Sequence, residues 1–100
     1  MRNYDIHYLP IAEDDLNEIV DYLSEHSISA ANTFIDELEG LEERLSMFPE
    51  SGSLAKDRRL RSKGYRIAVI GSYLLFYTLQ NENVYVMRII HSKRNYISMI

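Results

Sequence analysis

Between Ile11 and Leu45 the apolar residues recur at helical spacing in two stripes, interrupted only from His26 to Ser29, and this pair constrains the fold more than any other feature. Ala12, Leu16, Ile19, Val20 and Leu23 form the first stripe, and Glu13, Asp14, Glu18, Asp21 and Glu25 mark the wet side opposite. Pro10 stands at the entry, where its missing N–H costs nothing, and the acids that follow suit the positive end of a helix dipole. Ala31, Phe34, Ile35, Leu38, Leu41 and Leu45 form the second stripe, with Asp36, Glu39 and Glu43 outward, a cap between Ser27 and Ser29, and Pro49 as the stop. Gly40 inside it costs up to ~1 kcal/mol relative to alanine, which close packing against a neighbour would explain. So short a connection makes the helices an antiparallel hairpin, and both stripes then need a common surface to cover.

That surface is predicted from runs whose period is two. YDIHYL (Tyr4 to Leu9) alternates large and polar side chains and reads as a strand. After the helices, a Ser/Gly-containing loop and the basic stretch KDRRLRSK (Lys56 to Lys63) lead into YRIAVI, YLLFYTL and VYVMRIIH. Gly71-Ser72 has the glycine of a tight hairpin turn at its first central position, whereas Asn81-Glu82 matches a primed turn less well. Two-residue turns at both places pair Ile70 with Tyr73 and Leu79 with Val84. Arg66, Tyr73, Tyr77 and Arg88 are then expected on one face, and Ile67, Val69, Leu74, Phe76, Met87 and Ile89 on the other, beneath the helices. The predicted class is α+β: an N-terminal strand, an antiparallel helical hairpin, then a three-stranded antiparallel meander. The helices pack on one face of a mainly antiparallel sheet, in a single domain over residues 1–100.

Composition narrows the function. The chain has no cysteine, which removes thiolate metal sites and disulfides, and His7, His26 and His91 are too scattered to argue for a metal. No glycine-rich phosphate loop or nucleophile-elbow motif occurs, so no cofactor is expected. The opening MRNYDIHYLP is not a secretory signal and no run approaches the ~20 apolar residues of a membrane span, so a cytoplasmic protein without membrane contact is expected. The net charge of −4 hides an asymmetry: residues 1–50 hold two cations against thirteen carboxylates, and residues 51–100 nine cations against two. A basic second half suits a phosphate-bearing partner, while acidic helix faces are most simply solvated.

The residues left to carry chemistry are a sheet face and a tail. His91, Lys93, Arg94 and Tyr96 lie at or just beyond the end of the last strand, and the expected register puts Arg66 and Arg88 on the face away from the helices. Cleavage of RNA by attack of a ribose 2′-hydroxyl on the adjacent phosphate needs a proton acceptor, a clamp on the phosphorane and a proton donor for the leaving oxygen. Histidine titrates near neutrality, arginine forks onto phosphate, and tyrosine stacks on a base or moves a proton. On that reading His91 moves the proton, Arg66 and Arg94 clamp phosphate, and Tyr96 stacks or transfers a proton. Arg88, Lys93, Arg58, Arg59, Arg61 and Lys63 would contact the nucleic-acid backbone. The plainer alternative is a rim histidine, solvated tail charges and an Arg66 stem packed beside Tyr77.

The segments YDIHYLPIAEDDLNEIVDYL, FPESG, GYRIAVIGSYLLFY and VMRIIHSKRNY, in this order, resemble the RelE/ParE superfamily of bacterial toxins from type II toxin–antitoxin modules. The resemblance spans essentially the whole chain. It implies a growth-inhibiting toxin neutralised by a cognate antitoxin protein whose extended and helical segment wraps it, in a toxin–antitoxin hetero-oligomer, with a homodimer as the other assembly. RelE-like members cleave mRNA on the ribosome, with basic residues on the sheet and a residue in the C-terminal segment. ParE-like members bind and poison DNA gyrase without hydrolytic chemistry. Arg66 matches an active-site position of the ribonuclease members, and Arg94 and Tyr96 fall in their functional tail. Leu74 stands where those members usually have an arginine, and Ala68 where a further basic residue is expected. The expectation carried forward is a ribosome-dependent mRNA endoribonuclease; the alternatives are a gyrase poison and a degenerate toxin that retains antitoxin binding.

Overall fold

The computed structural model describes residues 3–100; Arg2, one of the two cations of the first half, lies outside them. The chain runs β1 (Asp5–Tyr8), α1 (Pro10–His26), α2 (Ile28–Met47), β2 (Ser53–Leu54), α3 (Arg58–Ser62), β3 (Arg66–Ile70), β4 (Tyr73–Gln80), β5 (Asn83–His91) and a closing 3₁₀ turn, Tyr96–Ser98. The sheet order is β1-β5-β4-β3-β2, with β1 parallel to β5 and every other pair antiparallel. The α+β class and the helical hairpin on one sheet face are as expected; β2 and α3 are additions within the stretch read as loop.

Local chemistry explains the boundaries. Ser27 caps α2 by accepting from the Ala30 N–H at 3.2 Å, and Pro10 opens α1. Asp57 caps α3 by accepting from the Leu60 N–H at 3.1 Å, which turns a run of cations into a short helix. Gly71 takes φ +58° at the first hairpin turn, and Asn81 takes φ +56° at the second, the left-handed conformation that asparagine tolerates better than most residues. Gly40 is not explained by close packing, because a Cβ built on it meets nothing within 4 Å.

Both turns keep the expected register, with Ile70 opposite Tyr73 and Leu79 opposite Val84. The faces of β3, β4 and β5 up to Met87 are nevertheless the reverse of the expectation, whereas Ile89 lies beneath the helices as expected. Ala68, Ile70, Leu75, Tyr77, Val84, Val86 and Ile89 pack with Phe34, Leu38, Leu41 and Leu45 of α2, so Tyr77 lies in the main core. Ile67, Leu74, Phe76 and Met87 look the other way and join Ala55, Leu60 and Tyr65 with the tail residues Tyr96 and Ile100 in a second, smaller core. Val69 is under neither layer and is 67% exposed.

Two physical facts account for this arrangement. Tyr77 is buried at no polar cost, because its hydroxyl donates to the Pro49 carbonyl at 2.7 Å and accepts from the Gly52 N–H at 3.0 Å. In addition, β5 carries a bulge: Tyr77 pairs with Val86 but Phe76 with Arg88, so Met87 is an extra residue and the alternation flips. Arg88 thereby leaves the face of Arg66 and Tyr77, and Ile89 joins the helix face.

Candidate functional site

The bulge also decides which backbone groups of β5 reach the sheet edge. Before it, Val86 faces β1, and its carbonyl accepts from the Leu9 N–H at 3.0 Å. Past it, Ile89 faces outward, where β1 has ended and α1 runs alongside. Asp15 of α1 fills the gap. Its carboxylate accepts from the Ile89 N–H at 3.0 Å and from Arg88 Nε and Nη2 at 2.7 and 3.0 Å, while Arg88 Nη1 donates to the Met99 carbonyl at 2.8 Å. The two side chains are only 13% and 12% exposed. The Asp15 carboxylate holds the Arg88 guanidinium even more firmly protonated than usual, against the opposing effect of burial. Asp15 carried a signal that sequence reasoning missed, since it sits one turn from Ala12 and Ile19 on the flank of the buried stripe. Its partner, 73 residues away, was not legible.

Above this pair a groove of about 790 Å³ opens between α1 and the end of β5, with Asp14, Asp15 and Glu18 on one wall and His91 and Arg94 on the other. Its apolar lining includes Ile11 and Tyr22, which are 47% and 55% exposed. The His91 ring meets the edge of Tyr73 at 5.2 Å between centroids, and its Nδ1 accepts from the Lys93 N–H at 3.1 Å. In the neutral imidazole the proton is therefore on Nε2. Burial, with Tyr22 nearby, pushes the Tyr73 phenol up, so it keeps its proton at neutral pH. A phosphate entering here meets carboxylates as well as cations.

Of the ten residues predicted to act on nucleic acid, Arg88, His91 and Arg94 share this groove. Arg66 is elsewhere: its Nη1 donates to the carbonyls of Gly52 at 2.9 Å and Glu50 at 3.3 Å. Arg66 lies opposite Tyr77 whereas His91 lies opposite Tyr73. That is four residues along the strand and two strands across, roughly 16 Å between backbones. Tyr96 is on the other face, its ring packed on Phe76 at 5.1 Å. Arg59 donates to the Ile97 carbonyl and Arg61 Nε to the Ala55 carbonyl at 2.8 Å, so both tie backbone together. Arg58, Lys63 and Lys93 are exposed. Among the described residues no group of histidine and carboxylate side chains is placed to hold a metal, and no helix is long and apolar enough to cross a membrane.

Comparison with known proteins agrees with this architecture. The family model for the ParE toxin of the type II toxin–antitoxin system parDE matches residues 6–96. Among solved structures, a chain of a chromosomal ParDE toxin–antitoxin system from P. aeruginosa superposes with a TM-score of 0.69 at 14% identity, covering 88% of this chain and 95% of that one. At that identity the likeness speaks for the fold. No curated protein matches.

Proposed function

Because this chain belongs to the ParE toxin family of type II toxin–antitoxin systems, we infer that it arrests growth by binding and poisoning DNA gyrase, with no hydrolytic step of its own, until a cognate antitoxin neutralises it. The observation that carries this reading is the separation of Arg66 and Tyr96 from His91 and Arg94, which leaves the expected catalytic set split. A 2′-hydroxyl attack needs its proton carrier and its phosphate clamp on one phosphate, within hydrogen-bond reach. Arg66 is committed to the carbonyls of Gly52 and Glu50, and Tyr96 packs on the face opposite to His91. Arg88, the cation beside His91 in the chain's last strand, is already neutralised by Asp15. A binding inhibitor requires none of these to converge. The exposed cations Arg58, Lys63 and Lys93 suit contact with the DNA that gyrase holds.

The test is a pair of assays on one preparation. Purified protein is added to gyrase with relaxed plasmid and ATP, and separately to ribosomes programmed with a defined message. Loss of supercoiling with trapped DNA breaks, and an intact message, is the expected outcome. Cleavage of ribosome-bound message that disappears in His91→Ala, with gyrase unaffected, would overturn the reading in favour of the endoribonuclease.

A further inference from the structure

We propose that the groove between α1 and the end of β5 takes an extended, basic segment of the target protein as an added strand; this rests on the gyrase reading above. The first support is the open edge. Beyond Met87, residues 89 and 91 direct their backbone groups away from β4, as the Ile89 N–H bond to Asp15 and the Ser92 N–H bond to the Ser72 carbonyl at 2.9 Å establish for the two sides of the strand. β1 covers β5 only from Asn83 to Val86, so among the described residues no strand reaches the Ile89 carbonyl or the His91 N–H. These two groups bracket one residue of an incoming strand laid parallel to β5, the direction that β1 already takes.

The second support is the character of the walls. Ile11 and Tyr22, both large and about half exposed, give apolar contacts for alternate side chains of such a strand. Asp14 and Glu18 lie exposed on the α1 wall, and Asp15 is already matched by Arg88. An arginine or lysine on the incoming segment would therefore find carboxylates at the rim. An acidic segment would be repelled by the helix it has to lie against. Arg94 stands on the opposite wall, so it is the α1 side of the groove that suits a basic flank, beside an apolar anchor and an extended backbone.

The experiment measures gyrase binding by surface plasmon resonance, with supercoiling inhibition alongside, for the wild type and three variants. Asp14→Lys/Glu18→Lys reverses the rim charge on exposed helix positions. His91→Pro deletes the outward N–H without removing an inward ladder bond. Asp36→Lys/Glu43→Lys reverses two exposed acids of α2 outside the groove and controls for net charge. Both groove variants are expected to weaken gyrase binding roughly tenfold or more, with circular dichroism and antitoxin capture retained, while the α2 variant binds as the wild type does. Equal binding by all four proteins would overturn this inference and leave the gyrase reading standing. Loss of antitoxin capture with gyrase inhibition intact would overturn it by assigning the groove to the antitoxin. Absence of gyrase binding by the wild type would remove both readings.

Discussion

Replacing Asp15 with alanine should be the most destabilising change available on the helix surface. Its carboxylate accepts three hydrogen bonds, two from the Arg88 guanidinium and one from the Ile89 N–H, and both charged side chains are nearly nine-tenths buried. Removing one member of a buried pair costs about 3–5 kcal/mol, because the surviving charge keeps its desolvation penalty and loses its compensation. Arg88 retains the Met99 carbonyl, and the groove beside it admits water, so the lower end applies, about 3 kcal/mol. For a domain of this size that lowers Tm by about 12–24 °C. Urea unfolding followed by circular dichroism measures it as a shift in midpoint at constant slope. The double variant Asp15→Leu/Arg88→Met removes both charges together and should recover most of the loss. A single variant within about 1 kcal/mol of wild type, or a double variant no more stable than the single, would refute the argument that Arg88 is held by Asp15 rather than kept free for phosphate.

Three further outcomes follow from the same structure. Gly40→Ala should stabilise by up to ~1 kcal/mol, since the new Cβ meets open space, whereas Gly52→Ala places a Cβ 2.5 Å from the Tyr77 hydroxyl and 2.9 Å from the Ile67 carbonyl and should destabilise by about 1–3 kcal/mol; denaturant melts of the pair compare them directly. Burial, aided at Tyr8 by the hydrogen bond to Glu42, raises the phenol pKa of Tyr8, Tyr73 and Tyr77 above the ordinary value. The stability these groups contribute is complete below ~10 and is lost as pH rises through their folded-state values, so an absorbance titration should show them ionising late and with unfolding. Tyr96→Ala uncovers Phe76 and should cost about 3 kcal/mol in the same melts while leaving gyrase inhibition in place; loss of inhibition by a variant that stays folded would restore a functional role to that ring.

Most of the architecture was legible in the sequence because it rests on periodicity. The two apolar stripes, the proline stops and the Gly71 turn each have a local cause, and both hairpin registers emerge as expected. The orientation of the sheet was not legible, because both faces are apolar. Ala68, Ile70 and Leu75 on one side are no more hydrophobic than Ile67, Leu74 and Phe76 on the other. The second face is also covered, by α3 and a tail whose apolar anchors Tyr96 and Ile100 are isolated in sequence. Tyr77 misled for a related reason: a phenol looks polar in a sequence, yet two backbone partners, the Pro49 carbonyl and the Gly52 N–H, make it core.

The candidate site depended on one residue that no local rule announces. An unbulged β5 would put Arg88 on the face of Arg66 and Tyr77, the arrangement that a cationic sheet face would need. The bulge at Met87 sends Arg88 to the other side and round the edge to Asp15, and turns the Ile89 N–H toward the same carboxylate. One extra residue thus converts a side chain expected to contact the nucleic-acid backbone into the fastener between the sheet edge and α1. It also leaves the Ile89 carbonyl and the His91 N–H facing a groove in which, among the described residues, no strand lies. Deleting Met87 should restore simple alternation, put Arg88 in the place of Met87 opposite Phe76 and destabilise the fold, because a guanidinium there replaces an apolar side chain packed on the second core. A deletion variant that folds with wild-type stability would show that the bulge is not what orients this end of the strand.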